Sequence, residues 1–164
     1  EAIDWLMNDK SGYSQCGNPF FIERFALVVL SFSAPAVSCL VHSHQFCSEV
    51  GGTDNTWLTS TRQCAWPQII CKDGSVVSLQ FLSNVVEGSI ATEIGLLQNL
   101  TNLVLAYNDF TGTLPSEIGL LTGLTNLALT DNAFTGTIPT EIGLLTGLTN
   151  LALTDNAFTG TIPT

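Results

Sequence analysis

The feature that most constrains this chain is an internal duplication. Residues 117–140 read EIGLLTGLTNLALTDNAFTGTIPT, and residues 141–164 repeat that string without one change. Looser copies precede it. Leu79, Leu103, Leu127 and Leu151 fall 24 residues apart, as do Asn84, Asn108, Asn132 and Asn156. Gly88, Gly112, Gly136 and Gly160 keep the same step, and so do Ile94, Ile118 and Ile142. A fixed period of this length means stacked units, each burying its two faces against its neighbours. Four copies cover about residues 76–164, the last incomplete. Gly, Pro and Thr interrupt every copy, which excludes an array of long amphipathic helices. The chain is read as a solenoid.

Within one copy the residue pattern assigns each segment. Leu103 and Leu105 alternate with small or polar residues, the period of two of a strand with one buried face. Strands are therefore predicted near residues 102–106, 126–130 and 150–154. Asn108 closes the first of these, where its amide can donate to and accept from backbone groups that the bend would leave unpaired. Gly112 then permits unusual dihedrals and Pro115 fixes φ, so Phe110 to Pro115 turns the chain. Glu117 to Leu121 returns it as a short helical or 3₁₀ segment. The apolar positions expected inside a coil are Leu103, Leu105, Phe110, Leu114, Ile118, Leu121 and Leu124.

The pattern LxxLxxLxLxxNxFxGxIPxEIGxL resembles the plant-type leucine-rich repeat, over a little more than half the chain. Ala91 departs from it where later copies carry Pro115, Pro139 and Pro163, and Val86 stands where they carry Phe110, Phe134 and Phe158. The resemblance implies an α/β solenoid: a right-handed coil with a concave parallel β-sheet, a second short strand at the TGxIP edge, and an N-terminal helical cap. It divides the chain into a cap region, residues 1–75, and four coils, residues 76–164. Upstream, Trp57 and the run Cys64-Ala65-Trp66 to Cys71 resemble that family's N-terminal cap, W…CxWxxxxC, although Pro67 and Gln68 stand where Gly is usual. This implies a Cys64–Cys71 disulfide with Trp66 as the lid over the first coil. Farther upstream, Ala2 to Asp9 and Glu23-Arg24-Phe25-Ala26-Leu27 resemble the leader of diatom leucine-rich repeat proteins, which implies a cap helix from Glu23 to about Ser33.

The same N-terminal stretch admits another reading. Phe25 to Val41 is 17 uncharged residues, and Ala34-Pro35-Ala36 mimics a signal cleavage site. Pro35 interrupts the run, which falls short of a usual membrane span. Cap helix and signal or anchor both stay open. Cys39 can pair with Cys47, leaving Cys16 free or paired elsewhere; alternatively, Cys39, His42, His44 and Cys47 offer zinc-type donors in a spacing that fits no familiar finger. The sequon Asn99-Leu100-Thr101 places a candidate glycan in the turn before a strand. The chain starts at Glu1 and stops in mid-pattern at Thr164, so it reads as a fragment, with membrane attachment expected, if at all, from segments outside it.

Charge and missing motifs narrow the function. The net charge is −10, and from Asp73 onward there are eight acidic residues and no Lys or Arg. Such a surface repels phosphate backbones, so nucleic acid is not an expected partner. No P-loop, GxGxxG, GxSxG or HExxH occurs, and no cofactor or metal is expected. Glu93, Glu117 and Glu141 form a solvated column on successive coils, about 4.8 Å apart, not a catalytic pair. The chain reads as a non-catalytic binding module, receptor-like or secreted, at the cell surface or outside the cell. By resemblance its protein or peptide ligand, neutral or basic, docks on the concave strands. The candidate contacts are Asn102, Val104, Ala106, Tyr107, Asp109, Asn126, Ala128, Thr130 and Asp131, with Gln80, Leu82, Ser83 and Val85 before them. Asn150, Ala152, Thr154 and Asp155 repeat the set, and Tyr107 is the candidate anchor. The alternative is a structural or ice-surface-binding solenoid acting through the ladder Thr111-Gly112-Thr113, Thr135-Gly136-Thr137 and Thr159-Gly160-Thr161.

Overall fold

A computed structural model describes Ala26 and residues 63–65, 68–81 and 86–163 of the chain. It begins with a 3₁₀ turn, Gln63–Ala65, then a hairpin of β1 (Ile69–Lys72) and β2 (Ser75–Gln80). Asp73 and Gly74 join these strands with φ of +53° and +85°, the two left-handed residues of the turn type that matches strand twist. From there each coil repeats the same order. A short strand is followed by a tight turn, a second strand and a 3₁₀ segment.

In chain order the remaining strands are β3 (Glu87–Gly88), β4 (Asn102–Val104), β5 (Asp109–Thr113), β6 (Asn126–Ala128), β7 (Ala133–Thr137), β8 (Asn150–Ala152) and β9 (Ala157–Thr159). They form two sheets. The first runs β1-β2-β4-β6-β8, with β1 antiparallel to β2 and the rest parallel. The second runs β3-β5-β7-β9, all parallel. The parallel sheets and stacked coils are the solenoid that the 24-residue period predicts. The strands of the first sheet are shorter than expected, ending at Val104, Ala128 and Ala152, but the ladder continues beyond them as Leu105 N–H donates to Ala128 O and Leu129 N–H to Ala152 O.

The two sheets differ in register. In the first, Leu79, Leu103, Leu127 and Leu151 lie opposite one another, in step with the sequence period. In the second, Thr111 pairs with Ala133 and Thr113 with Thr135, a stagger of 22 residues. The slip of two preserves which side chains face inward, because strand side chains alternate with period two.

The core is one continuous cluster along the stack. All seven positions predicted for a coil are buried, from Leu103 through Leu124. Phe110, Phe134 and Phe158 stack with centroids 6.0 Å apart and rings within 7° of parallel. The 3₁₀ segments Thr92–Leu96, Ser116–Leu120 and Thr140–Leu144 close each coil. They approach so closely that a Cβ on Gly119 would lie 2.7 Å from the Glu141 carbonyl oxygen.

Asn108 holds the inner corner. Its Nδ2 donates to Phe81 O at 2.9 Å, Leu105 O at 3.0 Å and Ala106 O at 3.0 Å, and its Oδ1 accepts from Val86 N–H at 3.2 Å. Asn132 and Asn156 repeat the scheme, accepting from Phe110 N–H and Phe134 N–H. Each bond set reaches into the preceding coil, so the asparagines tie coils together as well as closing turns. At the N-terminal side Cys64 and Cys71 form a disulfide with an S–S distance of 2.02 Å. Ala26 is helical and fully buried. Trp66, the rest of the Glu23 to Ser33 and Phe25 to Val41 readings, Cys16, and the Cys39, His42, His44 and Cys47 group lie outside the described residues.

Candidate functional site

The exposed surface of the first sheet is organised in columns that run from coil to coil. Ser78, Asn102, Asn126 and Asn150 make one. Asn102 Nδ2 donates to Ser78 Oγ at 2.8 Å, Asn126 Nδ2 to Asn102 Oδ1, and Asn150 Nδ2 to Asn126 Oδ1. Each amide still has a second N–H and a second lone pair to offer. The sequence reading had these asparagines as separate contacts; the structure makes them one linked ladder. Their shared 24-residue spacing at a strand position was the available signal.

Beside that ladder runs a column of small apolar residues, Val104, Ala128 and Ala152, all half-buried. Next come Thr130 and Thr154, whose hydroxyls meet at 3.3 Å. Tyr107, Asp131 and Asp155 follow at equivalent turn positions, with φ of +61°, +57° and +55°. Aspartate tolerates the left-handed region better than most residues, whereas tyrosine there is unusual. Tyr107 is 54% exposed, and its N–H donates to Thr130 O, so the ring projects from a backbone pinned to the next coil.

Two predicted contacts fall elsewhere. Ala106 is buried, only 6% exposed, because its single methyl does not rise past its neighbours where the chain bends into Asn108. Asp109 opens β5 and pairs with Glu87, so it stands on the second sheet and not with the contacts of the first. Gln80 donates to Ser78 Oγ at the base of the ladder, while Leu82, Ser83 and Val85 lie outside the described residues. Asn99 is exposed in the turn before β4, and the Thr101 hydroxyl of its sequon donates to Val77 O at 2.9 Å.

On the second sheet the Thr-Gly-Thr ladder is present and exposed. Thr111 and Thr135 donate their hydroxyls to Gly88 O and Gly112 O of the preceding coil. Among the described residues no group of His, Cys, Asp and Glu is placed to hold a metal ion, and no helix is long and apolar enough to cross a membrane.

Residues 99–121 match the family described as Leucine Rich Repeat. Among solved structures, the PEPR1–AtPEP1 complex is 32% identical, with a TM-score of 0.70 over 86% of this chain and 19% of that one. The BIR3–SERK2 complex from Arabidopsis thaliana is 30% identical, with a TM-score of 0.67 over 84% of this chain and 71% of that one. The plant peptide hormone receptor RGFR1 in complex with RGF2 is 34% identical, with a TM-score of 0.52 over 61% of this chain and 19% of that one. No curated protein sequence matches the chain. With its stacked parallel strands and asparagine corners, the chain belongs to the leucine-rich repeat proteins. It spans about a fifth of the first of these relatives and most of the second.

Proposed function

We propose that this chain is a non-catalytic recognition module that takes a protein or peptide ligand, neutral or basic at its contact surface, across the first sheet. The observation that carries this is the column arrangement. A ladder of half-satisfied amides borders a shallow apolar strip, with Tyr107, Asp131 and Asp155 along the far side. Repeated amides suit the polar backbone of an extended ligand, the alanine column leaves room for its side chains, and the aspartates favour positive charge. Similarity to a peptide hormone receptor and to a receptor–partner complex supports the same reading. The Cys64–Cys71 disulfide fits an oxidising, extracellular or cell-surface location.

Panning the immobilised chain against a random-peptide library tests this. Selected peptides should bind Tyr107→Ala about 1–3 kcal/mol more weakly if the ring is an anchor. The pair Asp131→Asn and Asp155→Asn should slow association and flatten its salt dependence. Thr135→Ala, on the second sheet, should change nothing. If Thr135→Ala abolishes binding and the other changes do not matter, the assignment to the first sheet is wrong.

A second reading rests on the exposed threonines of β5, β7 and β9. Hydroxyls bonded to the preceding coil hold Thr111 and Thr135 in fixed orientations, which suits a regular surface such as ice. Thermal hysteresis of the purified chain tests it; none at high concentration removes this reading.

A further inference from the structure

The 3₁₀ segments carry a feature that the proposed ligand surface does not use. In 3₁₀ geometry residues i and i+3 eclipse one another. Glu93 and Leu96, Glu117 and Leu120, and Glu141 and Leu144 are each three apart. Each coil thus presents a glutamate and a leucine on one side, while Ile118 and Leu121 turn inward. The leucines are large apolar groups left in solvent, at 37%, 54% and 57% exposure. They recur in the same place on successive coils, so they form a stripe and not scattered singles.

The glutamates beside them are oriented. Thr92, Ser116 and Thr140 donate their hydroxyls to Oε2 of Glu93, Glu117 and Glu141 at 3.2, 3.3 and 3.3 Å. Lys72 on β1 is the only Lys or Arg among the described residues, so no basic side chain of theirs other than that one can answer this column.

We propose that this ridge docks an amphipathic helix of a partner protein, with an apolar stripe flanked by Lys or Arg. Two arguments select that occupant. Charge is the first: three oriented carboxylates border the leucines and disfavour anything acidic, anionic lipid included. Spacing is the second. Coils repeat at about 4.8 Å, and successive apolar positions on a helix advance about 5 Å along its axis. A helix lying along the stack can therefore set its apolar side chains between successive leucines. This surface is separate from the first sheet and its ligand, and either can be engaged without the other.

The test uses the whole chain and a fluorescein-labelled synthetic helical peptide of about 20 residues, with leucines at i, i+3, i+4 and i+7 flanked by lysines. A second peptide replaces the lysines with glutamates. By fluorescence anisotropy the lysine peptide should bind, and the glutamate peptide at least about tenfold more weakly. The pair Leu120→Asn and Leu144→Asn should weaken the lysine peptide about tenfold or more. Glu117→Gln with Glu141→Gln should reduce the salt dependence of binding. Ile70→Ser, which removes an equally exposed apolar group on β1, should leave it unchanged. Circular dichroism melts of the variants establish that each is folded. Equal binding of the two peptides, or indifference to the leucine pair, overturns the proposal. So does leucine-dependent self-association in sedimentation, or leucine-dependent binding to phosphatidylcholine vesicles with none to the peptide.

Discussion

Residues 117–140 and 141–164 carry the same 24 residues, yet Leu127 is fully buried while its counterpart Leu151 is 39% exposed. The difference recurs along the copy. Leu129 and Phe134 are fully buried; Leu153 and Phe158 are only half-buried. The first stretch is covered by the second, and among the described residues no coil covers the second. What differs is the neighbour, not the sequence. A leucine-rich coil makes its inward face by itself, but it completes its core only when the next coil is laid on it.

That comparison can be broken by changing the same residue in both copies. Phe134→Ala should cost about 3–5 kcal/mol in chemical denaturation, since it leaves a cavity between two stacked rings. Phe158→Ala should cost less than half as much, because its site is open to relaxation and water. Equal losses would mean that the identical coils are equally packed in solution. Asn132→Leu should cost roughly 1–3 kcal/mol, because the carbonyls of Leu105 and Leu129 and the N–H of Phe110 lose their partner.

Smaller effects sharpen the same contrast. Gly119→Ala should lower the melting temperature, at a cost of about 1–3 kcal/mol, because its Cβ would meet Glu141 backbone atoms of the next coil. Gly143→Ala has nothing within 4 Å to meet and should be neutral or slightly stabilising. If the two alanines behave alike, the close approach of the 3₁₀ segments is not what holds Gly119. Thr130→Ala, on the solvent side of the first sheet, should stay within about 0.5 kcal/mol.

Much of the fold was legible because a solenoid writes its plan locally. The alternation at Leu103 and Leu105, the Asn108 corner, the Gly112 and Pro115 turn and the 3₁₀ return each follow from a few adjacent residues. Repetition then confirms them. The ligand surface was less legible. Column membership could be read from spacing, which picked out Asn102, Asn126 and Tyr107. Spacing did not reveal that the asparagines bond to one another, that Ala106 is covered, or that Asp109 has already crossed to the second sheet. Those depend on where the bend falls, and a strand two residues shorter than expected moves it.

The sequence by itself determined the period, the inward set from Leu103 to Leu124, the role of the asparagines and the uniform negative charge of the coils. These are properties of one repeat and its copies, so a one-dimensional pattern suffices to specify them. Only the tertiary structure decided the 22-residue stagger of the second sheet and the different burial of two identical copies. It also placed Glu117 with Leu120 on an open ridge. Register, burial and ridge arise between coils, where backbone hydrogen bonds and close approach select one stacking, and identical strings acquire different surroundings.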